Sequence, residues 1–156
     1  MLPEHLMQLA IDAARSGIAA GQSPFGCAIA IGQAVVACTH NRVLASTDVT
    51  AHAEVVALRA ACRATRGIHL QGAEVATTCE PCAMCMAALH WARVGTVYYG
   101  ATIADASHAG FNELGLAAAD VVRLGGSQVR LVSGVLADEC RLLFDHWKQS
   151  PAPQAY

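Results

Sequence analysis

Two short stretches constrain this chain more than any other feature. They are Thr50-Ala51-His52-Ala53-Glu54 and Glu80-Pro81-Cys82-Ala83-Met84-Cys85. Together they offer one imidazole and two thiols, a donor set that suits zinc. A closed structural zinc site takes four protein ligands. His52, Cys82 and Cys85 make three, which leaves one position for a water. Glu54, just after the histidine, is placed to share that water and to move its protons. The Cys82–Cys85 spacing puts both thiols on one face of a helix, with Cβ atoms about 5–6 Å apart. Pro81 suits the first helical position, where its missing N–H costs nothing. The N–H groups and dipole of a first turn favour thiolates. His52 and Glu54 open another apolar run, so the fold is expected to bring two helix N-termini face to face.

Other readings are open to the same residues. A redox pair would use Cys82 and Cys85 but needs no His-x-Glu upstream. A structural zinc knuckle needs a fourth ligand, and no second Cys or His pair supplies one. A scaffold that has lost its activity would have no use for Glu54. A catalytic zinc site, one zinc per chain, accounts for all four residues.

With 156 residues the chain reads as one domain over 1–156, long enough for a proper core. It is 54% hydrophobic and only 14% charged, with a mean hydropathy of +0.38. No apolar run reaches the roughly 18 residues of a membrane span, so no membrane partner is expected. The excess apolar surface is expected to lie between subunits, in a homo-oligomer and most simply a dimer. The N-terminus lacks the pattern of a signal peptide. Seven cysteines, two of them committed to metal, fit a reduced cytoplasmic protein. Cys27, Cys38, Cys62, Cys79 and Cys140 are expected to be small core residues. A net charge of −2 with ten Lys and Arg and no basic cluster argues against gripping a folded RNA such as tRNA. Arg59, Arg63 and Arg66 read as a solvated helix face.

The periodicity predicts a helix over 4–20, then strands over 27–31 and 34–39 joined by a turn at Gly32-Gln33. Asn41 falls just after the second strand, where functional loops begin. A helix over 53–64, a strand over 73–78, a helix over 82–92 and a strand over 96–100 follow. Residues 101–116 read as irregular with a helical turn near 104–109, then a helix over 116–124, a strand over 129–132 and a last helix over 137–148. Residues 150–156 form a proline-bearing tail. This order predicts an α/β fold of three layers, α-β-α, around a mixed five-stranded sheet.

The H-x-E…P-C-x-x-C pattern is a signature of zinc deaminases, and from about residue 5 to 148 the chain resembles the cytidine deaminase-like superfamily. It looks most like the bacterial guanine deaminase branch, through Pro24-Phe25-Gly26, Asn41, Thr50 to Glu54, Cys79 to Cys82, Trp91-Ala92-Arg93 and Ala109-Gly110-Phe111. The resemblance implies hydrolytic deamination of a small-molecule nucleobase, guanine going to xanthine and ammonia. His52, Cys82 and Cys85 would hold the zinc and Glu54 would be the catalytic carboxylate. It further implies that Phe25, Phe111 and Trp91 belong to the base pocket and that Asn41 hydrogen-bonds the base. That branch forms domain-swapped dimers and closes its active site with a C-terminal segment, a use that fits Tyr156. A carboxylate just after Ala-Gly-Phe reads the purine 2-amino group there. Here Glu113 is the candidate, because Asn112 stands where an acidic residue is usual.

Residues 134–140 also resemble the start of the final helix in tRNA wobble-adenosine deaminases; the weak basic charge and the bulk of Phe25 stand against that branch. Cytosine deaminases carry the same zinc signature. A different class, a non-catalytic zinc-bearing interaction subunit, is opposed by Glu54.

Overall fold

The computed structural model describes residues 1–156. Its elements are α1 (Pro3–Ala19), β1 (Gly26–Ile31), β2 (Ala34–His40), α2 (Val43–Ser46), α3 (Ala53–Thr65), β3 (Glu74–Cys79), α4 (Ala83–Trp91), β4 (Thr96–Ala101), α5 (Ile103–Ala109), α6 (Ala118–Gly125), β5 (Arg130–Ser133) and α7 (Ala137–Lys148). The five strands form one sheet in the order β2-β1-β3-β4-β5. β1 runs antiparallel to β2 and β3, while β3, β4 and β5 run parallel. The sheet is therefore mixed, as expected. The tight Gly32-Gln33 turn closes the antiparallel hairpin, with Gly32 at φ +60°.

Strand alternation divides the core into two sides. Ala28, Ala30, Ala76 and Tyr98 face α1 and α7, against Leu6, Met7, Ile11, Leu143 and Phe144. Cys27, Ile29, Val75 and Val97 face the other way, against Ala57, Leu58, Met86 and Leu89 of α3 and α4. Helix α1 buries Leu6, Met7, Ala10, Ile11, Ala14 and Ile18, the stripe that a 3.6-residue period brings to one face. Each large apolar side chain buried this way contributes on the order of 2 kcal/mol.

Small residues set how closely these layers approach. A Cβ on Gly26 would lie 1.9 Å from the carbonyl oxygen of Ala10, so α1 sits on the backbone of β1. Gly100 plays the same part under α7, where a Cβ would meet Cys140 Sγ at 2.2 Å.

The fold departs from the sequence reading in local detail. Residues 103–109 form a two-turn helix held by a capping box between Thr102 and Asp105. The Thr-x-x-Asp spacing is its sequence signal. The four-residue α2 was not expected; it is too short to show a period. Pro81 lies two residues before the first helical position of α4, because Cys82 is the N-cap and Ala83 the first helical residue. Cys27, Cys79 and Cys140 are buried, but Cys62 is half-buried and Cys38 is exposed on edge strand β2.

Gly26→Ala should destabilise the chain by about 3 kcal/mol, the upper end for overpacking, because the obstructing atom is backbone. A urea unfolding midpoint equal to that of the unsubstituted chain would contradict this contact.

Candidate active site

The site forms beyond the carboxyl ends of the parallel strands β3 and β4, the usual crevice of open α/β sheets. Two helices begin there. His52 is the N-cap of α3 and Cys82 the N-cap of α4, both with extended backbone. Neither uses its side chain to cap its helix, so both side chains are free to point into the gap between the helices. Cys85 follows on the first turn of α4.

His52 Nδ1 lies 3.7 Å from Cys82 Sγ and 3.6 Å from Cys85 Sγ. All three ligand atoms lie within 4.8 Å of one another. Zinc with Zn–S near 2.3 Å and Zn–N near 2.0–2.1 Å in tetrahedral geometry requires an N···S separation of about 3.6 Å. The three residues therefore fit zinc in both donor chemistry and spacing.

Electrostatics point the same way. The hydrogen bond from Cys85, helped by His52 and the Cys85 backbone N–H, brings the Cys82 thiol down to about 4 despite burial. Cys85 is pushed up, first by that same bond and then by burial and the Glu54 charge. Two thiols side by side thus share one proton until a cation offsets both charges. Burial draws the His52 imidazole down, but the hydrogen bond to Cys82 and the charges of Glu54, Cys82 and Glu113 outweigh it and hold it above its ordinary value.

Glu54 is buried on the first turn of α3. Its Oε1 accepts a 3.1 Å hydrogen bond from Thr77 Oγ1, and its Oε2 accepts one of 3.6 Å from Cys85 Sγ. Burial pushes its carboxyl up, against the pull of His52 and the Thr77 bond. A carboxyl poised this way accepts a proton and gives it back readily.

The cavity beside these groups is lined by Phe25, Asn41, Cys79, Glu80, Glu113 and Tyr156 along with His52, Glu54 and Cys82. Asn41 is fully buried. Its Oδ1 accepts from Val43 N at 3.0 Å, an Asx-type bond that starts α2, and its Nδ2 donates to the Tyr156 hydroxyl. Phe111 packs edge-on to Phe25 with centroids 4.9 Å apart, and to Tyr156 at 5.4 Å. Phe144 and Trp147 of α7 back this aromatic wall. Burial pushes the Glu113 carboxyl up, as it does the Tyr156 hydroxyl.

The structure thus gathers His52, Glu54, Cys82, Cys85, Phe25, Asn41, Phe111, Glu113 and Tyr156. Trp91 is a correction. It is 79% exposed and lies in a separate surface groove with Val55, Leu58 and Ile68. Six residues of helix past Cys85 carry it about 9 Å along the axis, away from the site. Thr77 and the twofold role of Glu80, described below, were missed. Thr77 had a signal, since it shares the inner face of β3 with Val75.

Residues 2–101 match the family described as the cytidine and deoxycytidylate deaminase zinc-binding region. The chain is 41% identical to the guanine deaminase of Bacillus subtilis over 111 residues, 70% of this chain and 71% of that protein. It is 42% identical over 97 residues to the tRNA-specific adenosine deaminase of Agrobacterium fabrum, 62% of this chain and 64% of that one. The solved guanine deaminase from Nitrosomonas europaea superposes with a TM-score of 0.86 at 27% identity, over 94% of this chain and 84% of that one.

A strong chelator should lower the melting temperature by on the order of 10 °C, the size expected when a ligand at a thousandfold excess over its Kd is removed from a chain of this length. Zinc should restore it at one ion per chain. An unchanged melt with no metal recovered would exclude the site.

Proposed function

Because this chain belongs to the cytidine and deoxycytidylate deaminase zinc-binding family, we propose that it converts free guanine to xanthine and ammonia. It is a zinc-dependent hydrolytic deaminase; guanine as the base is our reading. One observation carries it: a buried carboxylate, a three-ligand zinc site, a buried amide donor and a half-buried carboxyl all open into one cavity. The similarity to guanine deaminases of two bacteria supports the choice of base.

When bound by His52, Cys82 and Cys85, zinc lowers the pKa of a water from 15.7 toward 7. Glu54 takes a proton from the attacking water and delivers it to the ring nitrogen beside the amino-bearing carbon. The water oxygen bonds to that carbon, which becomes tetrahedral. Glu54 takes the second proton and gives it to the departing nitrogen, the C–N bond breaks, and ammonia leaves. Thr77 holds the Glu54 carboxylate in place throughout. One carboxylate serves as base and then acid.

Guanine presents a carbonyl acceptor and N–H donors along one edge. The Asn41 amide N–H matches the acceptor, and Glu113 matches the donors. A base lacking these groups would leave buried partners unpaired, which is a strong basis for discrimination. Phe25 and Phe111 supply flat apolar walls for the ring. In the closed form seen here, Tyr156 takes the Asn41 N–H and Asn112 N donates to the Tyr156 carbonyl at 2.9 Å. The remaining cavity is about 20 Å³, the room of about one water. Residues 150–156 therefore act as a cover that must lift to admit a base.

We read the active form as a homodimer. The groove between α3 and α4 leaves Trp91 79% and Ile68 75% exposed, an apolar surface of the kind that subunits bury. Exchange of the tails between subunits would use the same tail contacts in trans.

Zinc-loaded protein should release ammonia from guanine and not from adenine, cytosine, guanosine, cytidine or a tRNA anticodon stem-loop. Turnover of the stem-loop alone would replace guanine with the substrate class of the tRNA-acting relatives. Glu54→Gln should keep its zinc and lose at least a thousandfold in kcat; near-full activity would end the proposed mechanism. In sedimentation the chain should run as a dimer at micromolar concentration and Trp91→Glu as a monomer; a monomeric unsubstituted chain would refute the interface.

A further inference from the structure

Glu80 lines the pocket, yet both of its carboxylate oxygens are already engaged. Oε2 accepts from Ile103 N at 3.1 Å, and Oε1 accepts from Ala118 N at 2.9 Å. These are the first helical residues of α5 and α6. Its backbone N–H also donates to Ala101 O at 2.8 Å, fixing it at the end of β4. One carboxylate thus closes both ends of the segment 103–118, which carries Phe111 and Glu113 over the base pocket. It satisfies two N–H groups that a helix start leaves without partners.

The far side of that segment has little else to hold it. Residues 114–117 form no hydrogen bond to anything outside α6, and Leu114 is 66% exposed. The Glu80–Ala118 bond is the first tie to the rest of the molecule after Glu113. Glu80 also adjoins Pro81 and the ligand Cys82, so the pocket wall and the metal site share one fixed point.

We propose that Glu80 is a positioning residue for base binding, holding Glu113 at the distance from the metal site that the base requires. The inference rests on the base-deaminase reading. A displacement of about 1 Å in such a wall can cost up to about a hundredfold in rate, and a buried partner left unpaired weakens binding of the base as well.

The test is base affinity where turnover is suppressed. Calorimetry of guanine with Glu54→Gln is compared with Glu54→Gln/Glu80→Gln. Glutamine keeps the shape but turns an N–H donor toward one of the two backbone N–H groups. Guanine affinity should fall at least tenfold, amides 103 and 118 should lose hydrogen-exchange protection, and zinc should stay at one per chain. With Glu113→Ala added to both, the Glu80→Gln effect should shrink to less than threefold, because Glu80 acts through Glu113. A general loss of structure would not depend on Glu113.

Ala118→Pro gives a second route that leaves Glu80 intact. It removes one N–H at a first helical position, where proline is accepted. The preceding Ala117 already has φ −65° and ψ 143°, the conformation proline requires before it. Unchanged affinity in either variant overturns the proposal, as does a Glu80→Gln effect of full size in the Glu113→Ala background. Failure of the guanine reading shows separately, as no ammonia from guanine with the unsubstituted chain. The same pairs are then compared on whichever base the panel identifies.

Discussion

The structure depends on two helix N-termini meeting across the end of one strand. The starts of α3 and α4 bring His52, Cys82 and Cys85 to within 4.8 Å. Each start presents backbone N–H groups that favour negative charge, and each places its first residue in extended conformation with a side chain aimed outward. The hydrogen bond from Cys85, and after it that from His52, bring the Cys82 thiol down to about 4. The arrangement also sets Glu54 beside the ligands without making it one, because it points from within the first turn of α3 toward Thr77 and Cys85. The separation of the Glu54 carboxyl from the three donor side chains is thus a consequence of where the helix begins.

The remainder of the fold holds those two helices still. β3 lies at the centre of the sheet and is buried along its length except at Glu74. It delivers Thr77 to Glu54 and ends at Cys79-Glu80, just before α4 begins. The layer on the opposite face closes tightly because Gly26 and Gly100 let α1 and α7 approach the strand backbones. Tight approach there carries Phe144 and Trp147 to the back of the aromatic wall. No helix in the structure is long and apolar enough to cross a membrane. The apolar residues lie in the two sides of the core and in exposed surface such as the α3–α4 groove.

What was legible in the sequence follows from the range of the interactions. His52, Glu54, Cys82 and Cys85 were readable because each pair sits within one helical turn, where spacing alone fixes direction. The five strands were readable from short apolar runs between turn signals, and the mixed sheet from the order in which helices and strands follow one another. Phe25, Asn41, Glu113 and Tyr156 reach one cavity from four separate segments, with Phe111 packed on its aromatic wall, and it was chiefly the resemblance to a family that pointed to them. Trp91 ends the helix that carries the two thiols, but helical rise carries it away from the site. Glu80 was visible as a residue but not as a brace, because its partners are backbone N–H groups at 103 and 118 that no side-chain pattern reveals.

The closed tail adds a last physical constraint. Asn41 has one amide with two jobs: its oxygen is committed to Val43 N, and its nitrogen to the Tyr156 hydroxyl. A buried amide N–H without a partner costs about 1–3 kcal/mol. When Tyr156 withdraws, that donor must be satisfied by water or by the base. A base with an acceptor at the right place regains the bond, whereas one without it leaves the donor unpaired inside an aromatic pocket. The Tyr156 hydroxyl takes the Asn41 donor and so leaves no unpaired N–H in the aromatic pocket; under the proposed guanine reading, a base with an acceptor at that place would take over the same hydrogen bond.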